Sequence, residues 1–461
     1  MAAYDLVAIG SGAAGFAAAI EGRRLGANVA LVERATVGGT CVNVGCIPSK
    51  ALLAAAEELH AAQAARQPGI WSQGSFSWSE VRAGKDALVN SLRGAKYEDV
   101  AAAWGFPILR GEAAFAADGR LVLDGAPLEA RAIVIATGAA PVVPPIPGLA
   151  DVRPLTSTEV LSLSELPRSI AVIGGGAIGL ELGQMLARFG VRVTLLETLE
   201  RLAATEEPEA SAAIQEVLEA EGVVVRTGIQ MASARRASGA VTLELADGST
   251  LTAEEVLVAT GRRPCTAGLG LAHRGITISA GGGLVVDDTL RTSDPMVFGA
   301  GDVLGQWQLV YVAAAMGALA ARNALGNAHD ALDLSVVPRV TFTSPQIASV
   351  GMTDEEAART GSACSCRVLP LEVIARAQVA RQAAGFVKIV AEHATGRILG
   401  VTVVADQSGE TIAAATLAIK AGMTTDQLTG TLLPYLTMTE GLKLAAQSFV
   451  TDPHLLSCCA G

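Results

Sequence analysis

The sequence predicts an α/β protein: two parallel-sheet units of one design, then a C-terminal α+β domain. Two observations predict the paired units, and a third marks the last domain. The first unit opens on an apolar strand from Tyr4 to Ile9 and a Gly-rich turn, G-S-G-A-A-G, carrying Gly10, Gly12 and Gly15. An Ala-rich helical stretch runs on to Gly26, and a second strand, Asn28 to Val32, ends at Glu33. The second unit repeats this order with the strand Ile170 to Ile173 and the turn G-G-G-A-I-G, carrying Gly174, Gly176 and Gly179. Its helix runs to about Phe189, and the strand Val191 to Leu196 ends at Glu197. In both copies the acidic residue lies 18 positions past the last glycine.

Each element has a chemical reason. The first glycine allows a tight bend, the second lets backbone approach a pyrophosphate, and the third lets helix pack on strand. The helix N-terminus offers free N–H groups and partial positive charge to the phosphates. Glu33 and Glu197 would accept ribose hydroxyls. These are Rossmann-like dinucleotide-binding units, and equal spacing in two copies is far more specific than a single G-x-G-x-x-G. Two sites in one chain suggest one resident and one visiting nucleotide, hence a flavin and a nicotinamide. Asp302 ends the strand pattern V-F-G-A-G-D. Its carboxylate could bind a polyol such as a ribityl chain, and an ordinary helix cap explains it equally well. A helix pattern starting near Leu309 could point its positive end at a flavin edge.

Two further segments echo each other: A-I-V-I-A-T-G, ending in Thr137 and Gly138, and V-L-V-A-T-G, ending in Gly261. Each follows a β-rich stretch with Asp-Gly turns, at Asp118-Gly119, Asp124-Gly125 and Asp247-Gly248. A Pro-rich connector, Pro141 to Gly148, looks like a domain crossing. After Pro338 strands and helices alternate without nucleotide turns. The expected division is 1–153 and 265–335 for the first nucleotide domain, 154–264 for the second, and 336–461 for the last.

Composition narrows the function further. The net charge is −11, so phosphate backbones are repelled and nucleic-acid binding is not expected. The uncharged stretches 132–150 and 303–321 are broken by prolines, glycines and glutamines, so no membrane insertion is expected. The N-terminus has no basic region before its first strand, which gives the expectation of a cytoplasmic protein without a signal peptide. Seven cysteines in 461 residues do not make a secreted disulfide scaffold.

Their placement carries more. Cys41 and Cys46 lie in G-G-T-C-V-N-V-G-C-I-P-S-K. Pro48 marks the first turn of a helix, where its missing N–H costs nothing. Cys46 then sits near a helix N-terminus, a position that lowers thiol pKa values. Cys41 is expected in a loop that folds back to bring the sulfurs together, because an i,i+5 pair within one regular helix would point apart.

This segment is very similar to the active-site segment of the flavoprotein pyridine nucleotide-disulfide oxidoreductases, and the resemblance covers nearly the whole chain. It implies bound FAD, NADPH or NADH as reductant, and a C-terminal dimerisation domain. It also implies that Cys46 is the thiol next to the flavin and Cys41 the outer, interchange thiol. Lys50 and Glu181 match a Lys–Glu pair beside the flavin N5. Gly39, Thr40, Lys50, Thr137, Gly138, Asp302 and Gly261 fall on nucleotide-binding positions. Thiol-substrate members carry H-P-x-x-x-E near the end, where the His is the acid–base partner of the interchange thiol. Here Y-L-T-M-T-E puts Tyr435 in that place, with Glu440 kept. A phenol of pKa ~10 is a poor proton shuttle at pH 7.

The end of the chain, L-S-C-C-A-G, offers Cys458 and Cys459 instead. Adjacent thiolates suit the transfer of a soft metal ion. With Q-L-V-Y-V-A-A-A they resemble the mercuric reductase branch of the family. That branch implies a homodimer with a composite active site, in which thiol-complexed Hg(II) passes from Cys458 and Cys459 of one chain to Cys41 and Cys46 of the other. It implies that Hg(II) is reduced there to Hg(0). Tyr97 matches a tyrosine kept near the metal, and His454 reads as a solvated tail residue. The resemblance is to the catalytic core, since no G-M-T-C-x-x-C segment occurs in the sequence. Glu197 favours a free 2′-hydroxyl and hence NADH, with Arg201 able to compensate for a 2′-phosphate. The alternatives are a lipoamide dehydrogenase-like dithiol–disulfide reductase and a non-catalytic metal-sequestering flavoprotein. Cys265 reads as structural, and Cys364 and Cys366 form a C-x-C on a loop or strand edge, read as incidental thiols with a metal-relay role as the alternative.

Overall fold

The computed structural model describes residues 4–326, 329–360, 363–382, 384–452 and 455. Its first sheet has five parallel strands in the order Val297–Gly299, Ala130–Ile135, Tyr4–Ile9, Val29–Glu33 and Ile108–Arg110. Successive side chains of a strand point to opposite faces, so a sheet covered on both sides needs continuous apolar runs. Leu6 and Ala8 pack on one face against the helices Ala13–Arg24 and Val310–Leu325. Val7 and Ile9 pack on the other, against a three-stranded meander built from residues 113–127. The two helices touch closely: a Cβ on Gly317 would lie 2.0 Å from the Ala14 carbonyl oxygen.

The second sheet repeats the plan with four parallel strands, Val224–Arg226, Arg192–Leu196, Ser169–Ile173 and Glu255–Val258. Ile170 and Val172 face the helical side, while Ala171 and Ile173 face a meander of Met231–Ala237, Ala240–Leu245 and Thr250–Ala253. The expected Asp-Gly turns are the meander hairpins in both units. Past the A-T-G strands, Ala139–Pro141 and Arg262–Pro264 pair antiparallel as a short ribbon, where the chain leaves and re-enters the first unit. Thr137 Oγ1 donates to the Cys265 carbonyl at 2.7 Å, and Cys265 N donates to the Gly138 carbonyl at 2.8 Å.

The last domain is an antiparallel five-stranded sheet in the order Arg339–Thr341, Gln346–Gly351, Ile398–Ala405, Phe386–Glu392 and Cys364–Pro370. The helices Ser408–Lys420 and Glu440–Gln447 cover one face. On the other face Lys388, 1% exposed, bonds Glu207 at 2.9 Å, Glu209 at 2.9 Å and Asp354 at 2.7 Å. Three carboxylates hold this ammonium charged and raise its pKa against the cost of burial.

One helix joins all three domains. Ala177–Arg188 carries Glu181, Gln184 and Arg188 at i, i+3 and i+7, on one face. Glu181 bonds Lys50 of the first domain and the Phe342 amide of the third. Gln184 bonds both backbone groups of Ser344, and Arg188 pairs with Glu57 and, at 2.6 Å, with Glu221.

Removing the ammonium would strand Glu207, itself 1% exposed, among carboxylates. Lys388→Ala is expected to lower unfolding free energy by about 3–5 kcal/mol. Urea denaturation checks this, and a loss below about 1 kcal/mol would refute the role given to the cluster.

Candidate active site

The two Gly-rich turns use their three glycines alike. Gly10 and Gly174 have φ of +105° and +112°, and a Cβ there would meet Ala136 O at 2.3 Å and Ala259 O at 2.5 Å. Both carbonyls belong to the A-T-G segments, which explains why turn and segment recur together. A Cβ on Gly15 or Gly179 would lie 1.8 or 1.9 Å from the first glycine's own oxygen. Gly12 and Gly176 face open space, and each N-caps a 12-residue helix without any side-chain cap. Free room beside uncapped amides fits a pyrophosphate in both units.

The neighbouring residues fit a flavin nucleotide in the first. Gly39 closes the turn so tightly that a Cβ would lie 2.6 Å from Gly12 Cα. Glu33 is buried and accepts from Ser11 N at 3.1 Å, Ser11 Oγ at 2.5 Å and Ala35 N at 2.6 Å. Asp302 lies in the 3-10 turn Gly301–Leu304, where burial raises its pKa although Arg262 pulls it down. The helix expected from Leu309 begins there, with Leu309 as its uncapped N-cap. In the second unit Glu197 accepts from Gly175 N at 2.6 Å and Leu199 N at 2.8 Å. Arg201 donates to the Glu206 carbonyl at 2.8 Å, the Ala204 carbonyl at 2.7 Å and Ser211 Oγ at 2.7 Å. Its guanidinium is already engaged in holding its own loop.

Cys46 begins the helix Cys46–Gln63, as Pro48 predicts. Cys41 corrects the reading: it lies in a short helix, Gly39–Val44, and not in a loop. The fold-back comes from one residue, Gly45, whose φ −138°, ψ −116° separates the two helices. A Cβ on Gly45 would stand 2.8 Å from Thr40 O and 3.2 Å from Cys41 Cα. With this break the two sulfurs meet, and the Cys41 thiol hydrogen-bonds to Cys46. That bond is the main reason the Cys46 pKa is lowered to about 7, with Lys50 assisting and burial opposing. Cys41 is pushed far up, because its proton is held in the bond and a second thiolate beside the first is unfavourable.

Lys50 Nζ and Glu181 Oε2 form the expected pair at 2.7 Å, and Lys50 also lies 4.6 Å from the centre of the Phe342 ring. A cleft of about 290 Å³ beside them is lined by Lys50, Glu57, Gln184, Arg188, Phe342 and Ser344. It meets the thiol chemistry only through Lys50. Tyr97 sits in a π-helical turn, Gly94–Glu98, that the sequence did not announce; such turns recur at functional sites. Its ring packs edge-on against Phe16 at 4.8 Å, and burial plus the charge of the two cysteines raise its pKa.

Sequence comparison places these features. A model described as pyridine nucleotide-disulphide oxidoreductase matches residues 4–317, and one for the dimerisation domain of the same proteins matches residues 337–446. The chain belongs to this family. It is 50% identical to a mercuric reductase of Streptomyces lividans, over 99% of this chain and 98% of that one. It is 44% identical to a mercuric reductase of Staphylococcus aureus, over 99% of this chain and 84% of that one. A Cu(II) complex of the HOCl-induced flavoprotein disulfide reductase RclA from Escherichia coli superposes with a TM-score of 0.88 at 29% identity, covering 98% of this chain and 100% of that one.

Tyr435, read from the sequence as standing in place of a histidine, lies on the surface of the dimerisation domain. The next residue, Leu436, has φ +61°, and its amide donates to Glu440 Oε2 at 3.2 Å. Glu440 therefore has a local structural task. Cys458, Cys459 and His454 lie outside the described residues. No helix among the described residues is long and apolar enough to cross a membrane.

In the dithiol form, alkylation of Cys46 should follow a titration centred near pH 7, rising as pH rises. Both Cys41→Ala and Lys50→Met should move that midpoint up toward the ~8.5 of an ordinary thiol. Iodoacetamide rates across pH 5–9 check the shift; an unmoved midpoint in Cys41→Ala would refute the thiol bond as its cause.

Proposed function

We propose that this chain reduces Hg(II) to Hg(0) with electrons from a nicotinamide coenzyme. The observation that carries the reading is the pair of sulfurs at Cys41 and Cys46, joined by one proton and set beside Lys50. The relatives named mercuric reductase, matched over nearly the whole chain, support it. So does Tyr435, a weak proton shuttle where thiol-reducing members place a His. FAD, when bound in the first cradle, supplies at Cys46 the electron pair taken from the coenzyme.

The chain's own residues do the rest. Hg(II) arrives between two thiolates, carried by Cys458 and Cys459 of the partner subunit. Cys46, with its pKa lowered to about 7, adds to the metal as thiolate and one carrier thiolate leaves. Cys41 then takes the place of the second carrier thiolate on the metal, and its proton passes to that departing sulfur. Two electrons break both Hg–S bonds, yielding Hg(0) and two thiolates, with Lys50 holding their charge and Glu181 holding Lys50. Tyr97, kept protonated by burial and by the thiols' charge, presents a hydroxyl donor to the site. A cytoplasmic setting would keep these thiols reduced. The domain division 1–153 with 265–335, 154–264 and 336–461 puts the flavin cradle, coenzyme cradle and dimer surface on separate units.

Glu197 supports NADH as the coenzyme: its carboxylate would repel a 2′-phosphate, and Arg201 is engaged elsewhere. Glu197→Ala should shift preference toward NADPH, read as the ratio of kcat/KM for the two coenzymes. An unchanged ratio would discard Glu197 as the selector.

Coenzyme oxidation should be driven by Hg(II) in excess thiol and not by oxidised lipoamide, with mercury vapour recovered in a trap. Cys41→Ala and Cys46→Ala should each abolish vapour release. Cys458→Ala with Cys459→Ala should slow turnover of bulky thiol complexes while flavin reduction by coenzyme stays intact. Lipoamide-driven oxidation without vapour would overturn the proposal in favour of a dithiol–disulfide reductase.

A further inference from the structure

Two cysteines outside the redox pair have a geometry the reaction does not use. Cys364 and Cys366 lie on the strand Cys364–Pro370, at the edge of the C-terminal sheet. Residues i and i+2 of a strand share a face. The register confirms which one: Cys364 pairs with Glu392, Cys366 with Val390 and Val368 with Lys388. The alternate residue Leu369 is buried in the apolar core of the opposite face, while Arg367 packs there on Phe449. Both thiols therefore look out on the side of buried Lys388 and its three carboxylates.

Electrostatics agrees with that placement. The Cys366 thiol is pushed up by burial, by Asp354 and Glu207, and by Cys364 itself, while Lys388 pulls it down. Both side chains are half-buried and reduced. Among the described residues neither sulfur takes part in a hydrogen bond or disulfide.

Distance decides what such a pair can do. Two strand residues on one face stand about 6.4–6.8 Å apart along the chain. That is the far limit of the 4.4–6.8 Å range of Cα separations that a disulfide accepts, and the two Cβ vectors run side by side. Closing an S–S bond would bend the strand out of its ladder. A metal ion bridging the sulfurs needs them only about 4.6 Å apart, twice a ~2.3 Å metal–sulfur bond. Ordinary rotamers leaning toward each other reach this without moving backbone. A hard cation would want oxygen ligands, but Glu207, Glu209 and Asp354 already hold Lys388. Thiolates select soft ions.

We propose that Cys364 and Cys366 form a second binding site for a soft, two-coordinate cation, Hg(II) first among them. Two S–H bonds break, two S–Hg bonds form and two protons leave to solvent; no electron moves. The site holds the ion without reducing it, because the strand lies on the dimerisation sheet and not beside the Cys46–Lys50 centre. The net acidic surroundings draw the cation in and push the Cys366 thiol up, so that it is protonated until the ion arrives. This rests on the pair's own chemistry and stands whether or not the chain reduces mercury.

The test uses the full-length flavoprotein with Cys41, Cys46, Cys458 and Cys459 all changed to Ala, so that the proposed redox and carrier thiols are gone. It should retain one Hg(II) per subunit through gel filtration, with ultraviolet absorption from S-to-Hg charge transfer and two protons released. Adding Cys364→Ser or Cys366→Ser singly should each remove the retained ion, since two-point binding needs both sulfurs. Cys265→Ser should leave it in place. Failure of the four-Ala protein to retain Hg(II), or full retention in either single variant, would overturn the proposal.

Discussion

The centre depends on one proton held between two sulfurs. Their interaction lowers the Cys46 pKa to about 7 and pushes Cys41 up, so the two sulfurs do not ionise together. Two free thiolates in contact would repel, and two thiols would be inert at neutral pH. The arrangement requires the chain to turn between positions 41 and 46 within a few residues. Gly45 permits this, since any Cβ there would press on Thr40 and Cys41. Asn43 braces the same turn: its amide donates to Val37 O and Gly39 O at 2.9 Å each, and it accepts from Arg93 at 2.6 Å.

The charge on Cys46 ties chemistry to domain assembly. Lys50, which stabilises it, comes from the first domain, while Glu181, which positions Lys50, comes from the second. Glu181 is buried, and its other oxygen accepts from the Phe342 amide of the third domain at 2.9 Å. A change in how the domains meet would move Lys50 and thereby the Cys46 thiol. The helix Ala177–Arg188 thus serves two ends, with its N-terminus opening the second cradle and its side face locking the three domains.

The C-terminal sheet is divided in the same manner. One face is sealed by helices, and the other is pinned to the second nucleotide domain through Lys388. Cys364 and Cys366 stand on that pinned face, at the edge of the sheet.

Much of this was legible in the residues. Gly10, Gly15, Gly174 and Gly179 announce their turns because only glycine fits a positive φ or a carbonyl at contact distance, and such constraints are local. The alternation that buries Leu6 one way and Val7 the other is local too, and it gave both sheets. The Lys50–Glu181 pair could be named only by resemblance, since its members lie 131 positions apart. The short helix around Cys41, the π-helical turn at Tyr97 and the engagement of Arg201 were not legible. Each depends on what an atom touches across the fold: a hydrogen bond to Cys46, a ring against Phe16, carbonyls of a loop closing on a guanidinium. Sequence alone determined the sheets and the cradles, because backbone sterics and side-chain period act over a few residues. Tertiary structure alone decided how the two thiols and Lys50 shift one another, because electrostatic and hydrogen-bond energies depend on distances that only the folded chain sets.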